Sequence, residues 1–145
     1  MKAKHIKAYM LSAIAFSQCS NAIRLKVGAV IVKRNRIISC GYNAFPEHIK
    51  DTSCELPDGT TDPRVRHAEK NALLGVLKSN ESTEDAVLFC THYCCLQCSI
   101  DIVDSGIKHV YVLYPYRSSE GLKYLINNNV KVTKLEAKDY ENFKF

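Results

Sequence analysis

Apolar positions recur along this chain with two periods, and the changes between them mark out the elements. From Ala3 to Ala22, Ile6, Met10, Ala13 and Ile14 return at helical spacing, so an amphipathic helix is expected. Val27 to Val32 is a run rich in β-branched residues without polar interruption, which suits a central strand covered on both faces. Arg34-Asn35-Arg36 reads as a tight turn, and Ile37 to Tyr42 as the second strand of a hairpin. From Asn43 to Arg66 the pattern lapses, punctuated by Pro46, Pro57, Asp58-Gly59 and Pro63. A loop that long is usually functional or disordered, and because it ends directly before His67 the functional reading is favoured. His67 to Lys78 predicts a helix with Ala68, Ala72, Leu73, Val76 and Leu77 on its apolar face. Then come a strand at Ala86 to Cys90, a helix from Cys95 to Ser105 closed by Gly106, a strand at Lys108 to Tyr114, a helix at Ser118 to Asn127 and a strand at Val130 to Leu135. The segment from Ala137 onward fits neither period.

Helices alternating with strands imply an α/β fold, a sheet with helices on both faces, and the hairpin makes that sheet mixed. The 145 residues suit one domain spanning 1–145. The apolar share of 46% and charged share of 24% are those of an ordinary globule, so disorder is excluded. A net charge of +5 fits either an anionic substrate or a solvated basic surface, but the scattered Lys and Arg form no nucleic-acid arm. Seven cysteines are an odd count for a closed disulfide framework. Ser12, Ser17, Gln18 and Ser20 break the stretch that a secretory leader would need, and no apolar run is long enough to cross a bilayer. A reducing, cytoplasmic compartment is therefore expected.

In that setting two segments carry chemistry: His67-Ala68-Glu69 and Cys95-Leu96-Gln97-Cys98. One imidazole and two thiolates make a three-ligand zinc set that leaves a fourth position open. Positions i and i+3 share a helix face, and Cys95 at a helix start meets the dipole and free N–H groups that favour thiolate. His67 opens a helix as well. Glu69, two residues from a ligand, can reach the metal's open side without ligating it and move protons there. Two bland readings compete: a structural zinc closed by Cys94 or Cys54 as fourth ligand, and cysteines that merely fill the core.

His-x-Glu followed by Cys-x-x-Cys is the zinc deaminase signature, with Cys94 here where that signature has Pro. Cys94 and Cys98 also share a helical face, but Cys95 and Cys98 are the pair expected to ligate. With Lys26-Val27-Gly28-Ala29-Val30-Ile31-Val32, Gly41-Tyr42-Asn43, His67 to Leu73 and Ser105-Gly106-Ile107-Lys108, the chain from about Lys26 to Pro115 resembles the deoxycytidylate (dCMP) deaminase family of the cytidine deaminase-like superfamily. The resemblance implies a three-layer α/β/α sandwich around a five-stranded mixed sheet. It implies one catalytic Zn2+ on His67, Cys95 and Cys98, with Glu69 as proton shuttle and dUMP and ammonia as products. It also implies a homo-oligomer, a hexamer in many members, switched on by dCTP and off by dTTP, with Mg2+ a possible companion of such an effector. Asn43 falls where the family's Asn meets the substrate sugar, while Ala44 replaces the family's last Gly and puts the effector response in doubt. Val27 and Ala68 are expected along the substrate. Tyr116 is placed to meet the 5′-phosphate. Arg117 and Lys26 are phosphate candidates by charge, with a solvated role the alternative.

Cys40 and Cys90, in apolar strands, are expected to be core filler. Cys19 and Cys54 are ordinary thiols or part of a second metal site. His92 lines the pocket or lies on the surface. Asp101 and Asp104 read as the polar face of their helix, and His5, His48 and His109 carry no signal. The rival functions are a dCTP or mixed dCMP/dCTP deaminase, a polynucleotide or tRNA deaminase, and a zinc module without catalysis. A small nucleotide is the expected partner, with neither membrane nor nucleic acid.

Overall fold

Each apolar run becomes a strand of one sheet. The computed structural model describes residues 1–50 and 53–143. Helix α1 (Ala3–Ser17) is followed by strands β1 (Gly28–Lys33) and β2 (Arg36–Tyr42), helix α2 (Ala68–Leu77), β3 (Val87–His92), α3 (Leu96–Asp104), β4 (His109–Tyr114), α4 (Glu120–Asn127) and β5 (Lys131–Lys134). The strand order is β2-β1-β3-β4-β5. β1 runs antiparallel to β2 and β3, while β3, β4 and β5 are parallel, so the sheet is mixed as expected. Arg34 and Asn35 both take positive φ (50° and 57°), the pairing of a tight hairpin turn whose twist matches its strands.

The alternation of side chains across the strands builds two cores. Ala29 and Ile31 of β1, Leu88 and Cys90 of β3 and Val110 and Val112 of β4 face α2, α3 and α4. Val30, Val32, Val87, Phe89, Tyr111 and Leu113 face the other way, onto Met10 and Ala13 of α1. Phe89 stacks on Tyr111 with ring centroids 4.6 Å apart. The unplaced tail belongs to this second core: a single 3₁₀ turn at Ala137–Asp139 brings Tyr140 to 6% exposure beside it. Gly41 lets α2 settle on β2, since a Cβ there would fall 2.4 Å from the Ala68 carbonyl oxygen. Gly106, at φ 80°, closes α3 where a side chain would be strained.

The structure corrects three sequence expectations here. Helix α1 stops at Ser17 rather than Ala22, because the Ser20 hydroxyl donates to the Asn43 carbonyl at 2.7 Å and accepts the Ala22 N–H, pulling the chain across the end of the sheet. Helix α4 starts at Glu120, two residues late, because Ser118 Oγ accepts the Glu120 N–H. Cys40 is exposed rather than core: it pairs with Val30, but on the edge strand β2. Cys90 is fully buried, as expected.

Candidate active site

The register brings one end of every long strand to the same edge. Tyr42 at the end of β2 lies opposite Gly28 at the start of β1, Ala29 faces Cys90 near the end of β3, and His92 pairs with Tyr114. Helices α2 and α3 start above this edge, so their free N–H groups and positive dipole ends converge there. His67 is the residue that precedes α2, with extended backbone (φ −66°, ψ 157°). Cys95 holds the equivalent place before α3, and its sulfur accepts the Cys98 N–H at 3.4 Å.

His67 Nδ1 lies 3.4 Å from Cys95 Sγ and 3.4 Å from Cys98 Sγ, and the three donor atoms all fall within 4.8 Å of one another. Tetrahedral zinc, with bonds of about 2.0–2.1 Å to nitrogen and 2.3 Å to sulfur, sets its N···S pairs about 3.5 Å apart. The donor set fits the ion in kind and in spacing. Without it the three groups share protons. The hydrogen bond from Cys98, followed by those from His67 and the Cys98 N–H, holds the Cys95 thiol down to about 4. Cys98 keeps the proton of the pair and is pushed up, by Cys95 first and burial second. His67 is raised, chiefly by its hydrogen bond to Cys95.

Glu69, in the first turn of α2, is 3% exposed. Burial pushes its carboxyl above the usual range, so it holds a proton more readily than a surface Glu. Its carboxylate, Cys90 Sγ and Cys94 Sγ form a second cluster within 4.8 Å, and all three residues are buried. Cys94 is thus packed below Glu69 and is absent from the His67 cluster. Neither Cys54 nor Cys19 joins a group of three donors among the described residues; Cys54 is buried in the site wall and Cys19 is exposed.

A cavity of ≈ 330 Å³ opens over this edge, within the range of small-molecule sites. His67, Ala68, Glu69 and Cys95 lie along it, and so do the predicted Val27, Asn43, Tyr116 and Arg117, with His92. Lys26 does not reach it. Asn43 Oδ1 accepts the Val27 N–H at 2.9 Å and its Nδ2 donates to the Leu25 carbonyl at 2.8 Å. Leu25 and Val27 are turned inward by those bonds, and Lys26 between them is exposed. The Asn43 amide therefore staples the cavity wall, with only its remaining N–H and lone pair left for a ligand. The unpatterned loop lines the cavity through Cys54, Glu55, Thr61 and Val65; its residues 51–52 lie outside the described residues.

Sequence reasoning missed Arg24 and Glu55. Glu55 Oε1 accepts the N–H groups of Ile23 and Arg24 at 2.9 and 3.1 Å. Its Oε2 is buried with no partner among the described residues, an acceptor in the wall of the cavity that lacks a donor. Two carboxylates of α3 also separate: Asp101 pairs with Lys70 at 3.1 Å, while Asp104 is exposed.

A family model for the cytidine and deoxycytidylate deaminase zinc-binding region matches residues 3–114. The chain belongs to this family. ComE operon protein 2 of Bacillus subtilis (strain 168) is 40% identical over 102 residues, covering 68% of this chain and 53% of that protein. Deoxycytidylate deaminase of Saccharomyces cerevisiae is 36% identical over 135 residues, covering 84% of this chain and 41% of that protein. The chain spans about half the length of these curated relatives. The crystal structure of dCMP deaminase from the cyanophage S-TIM5, in complex with dCMP and dUMP, matches with a TM-score of 0.91 at 44% identity, covering 93% of this chain and 99% of that one. The cytidine deaminase-like sandwich is thus the fold of this family member, and its zinc-binding motif falls on the His/Cys/Cys cluster. No helix among the described residues is long and apolar enough to cross a membrane.

Proposed function

We propose that this chain acts as a single-domain, zinc-dependent hydrolase that converts dCMP to dUMP and ammonia. One observation carries the reading: a set of three metal donors at a cavity floor, with a buried carboxyl beside it. A structural zinc would be closed by a fourth side chain. The similarity to the cyanophage dCMP deaminase, solved with dCMP and dUMP, supports the choice of substrate.

In this reading His67, Cys95 and Cys98 hold the zinc, which lowers the pKa of water at the open position. Protonated Glu69 donates to ring N3 of cytosine as water oxygen bonds to C4. The carboxylate then collects one of the water's protons and passes it to the amino nitrogen; as the C4–N bond breaks and ammonia leaves, the carboxylate takes the remaining hydroxyl proton, so that C4=O forms and Glu69 is protonated again. Its burial excludes bulk water from this transfer and keeps the proton on the carboxyl until the base arrives. Val27 and Ala68 lie along the base and sugar. Glu55 Oε2 is the acceptor for a sugar hydroxyl, which gives its orphaned oxygen a donor.

The test is turnover of dCMP, dCTP, deoxycytidine and single-stranded DNA by the zinc-loaded protein, with ammonia release as the readout. Preference for dCMP is expected. A preference for dCTP moves the assignment to the triphosphate. Deamination of none of them, by a protein holding one zinc per chain, removes the proposal.

A further inference from the structure

We propose that His92 is a substrate-binding residue whose Nε2–H donates to the anionic end of the nucleotide, and that Thr91 and Gly28 fix that proton in place. The inference rests on the nucleotide reading above and assigns a role to a ring that this reading leaves idle.

His92 ends β3, and its ring lines the cavity. Its Nδ1 lies 2.8 Å from the Thr91 hydroxyl. Thr91 is 2% exposed, and its oxygen accepts the Gly28 N–H at 3.1 Å. A buried hydroxyl hydrogen needs an acceptor. Among the described residues the one in reach of Thr91 is His92 Nδ1. The relay Gly28 N–H, Thr91 O–H, His92 Nδ1 therefore puts the imidazole proton on Nε2. Nε2 has no partner among the described residues, and it is the ring nitrogen left for the cavity. Burial lowers the His92 pKa, so the neutral ring, with its single N–H, is the form present.

The neighbours of the ring identify what it meets. Tyr114 lies at 5.2 Å and Tyr116 edge-on at 6.4 Å between ring centroids, which fixes the ring's orientation. The Arg117 guanidinium lies 5.1 Å over the Tyr116 ring. This wall presents an imidazole N–H, a phenol and a cation, whereas Glu55 presents an acceptor. A nucleotide has one anionic group, its phosphate, which takes both donors and a cation. With the base at Glu69 and a sugar hydroxyl at Glu55, the phosphate is the part that remains for the His92 and Arg117 wall.

Two measurements on the zinc-loaded wild type test this without any variant. Nitrogen-resolved NMR of the histidine rings should show His92 protonated at Nε2 and bare at Nδ1. Titration with dCMP or with inorganic phosphate should shift Nε2, whereas deoxycytidine should leave it in place. For kinetics, H92F should raise KM for dCMP about tenfold or more, the worth of a hydrogen bond to a charged group, while kcat and the KM for deoxycytidine stay within about twofold. H92Q, which keeps an amide donor, should recover part of that loss. T91V should let the Nδ1–H form appear and raise KM less than H92F does. A proton on Nδ1, a shift of Nε2 by deoxycytidine equal to that by dCMP, or an equal rise in both KM values in H92F overturns the proposal. If the wild type deaminates neither substrate, the proposed function falls on its own, and the phosphate titration still decides the role of His92.

Discussion

His67 and His109 lie at opposite ends of the sheet, and the pKa values of the two rings are shifted in opposite directions. His67 stands before α2 where the strands β2, β3 and β4 end, beside a cysteine pair that holds one thiolate, and its pKa is raised. His109 begins β4 at the other end, and burial with Lys131, the N-terminus and Lys108 pushes it down to about 4. Residue type is the same; the difference is what the backbone delivers. One end gathers two helix N-termini, free N–H groups and sulfur donors around a cavity. The other gathers cations and a Thr133 hydroxyl 2.8 Å from the His109 ring. Metal chemistry belongs at the first end because only there can a cation find thiolates already stabilised.

The strongest way to break that contrast is to remove a donor from each end. H67A should abolish metal binding and reduce deamination to background, and the unfolding midpoint should fall to that of the chelated wild type. H109N should keep the metal and the turnover. Metal analysis, ammonia release and thermal unfolding read all three quantities. A zinc content near one per chain in H67A would mean that the ion sits elsewhere.

Next in size is the carboxyl. E69Q should lose about 10²- to 10⁴-fold in kcat, the range expected for a positioned proton carrier, with zinc content unchanged. Full activity in that variant would leave Glu69 as a buried packing residue. C90A sharpens the comparison from below the site. It opens a small void under Glu69 and takes from Cys94 its thiol partner, at a cost of about 1–2 kcal/mol in unfolding free energy, while zinc stays bound. Loss of zinc in C90A would merge the two cysteine clusters into one metal site.

How much of this was legible in sequence follows from the range of the forces involved. The succession of strands and helices came through because Val30/Ile31, Leu88/Phe89 and Val112/Leu113 alternate between two cores, a local pattern, whereas the order of the strands in the sheet is set by long-range pairing. The His67, Cys95, Cys98 and Glu69 constellation was legible because two helix starts carry it, and a helix start fixes its neighbours within one turn. The wall opposite was not. Arg24 and Glu55 meet through backbone N–H groups across a loop with no period, and nothing in their spacing shows it. Lys26 lies outside the cavity for a similar reason: charge left a phosphate contact and a solvated role both open, while the Asn43 staple decided which side chains turned inward. Cys40 read as core because an edge strand and a central strand look alike until the neighbours are known.

The smallest expected effect lies at the far end. In the unfolded chain a histidine takes up its proton near pH 6.5, whereas folded His109 resists until about 4. Between those values the unfolded state binds more protons, so stability falls as pH falls through the window, and above it His109 contributes no slope. The ring is only partly buried and stacks on Tyr111 at 4.1 Å, so solvent screening keeps the effect modest. In H109N, whose amide can still bond Thr133, the urea midpoint should decline less steeply from pH 6.5 to pH 4 than in the wild type. His67 in apo protein acts outside this window: its raised pKa favours the folded state as the pH drops toward 6.5 and adds no slope below that value. Zinc, which requires the neutral ring, reverses that sign. The comparison should therefore be run on both forms: a His109 contribution of the same direction in each ties it to the far end of the sheet, and one that vanishes with the metal would place its cause at the site.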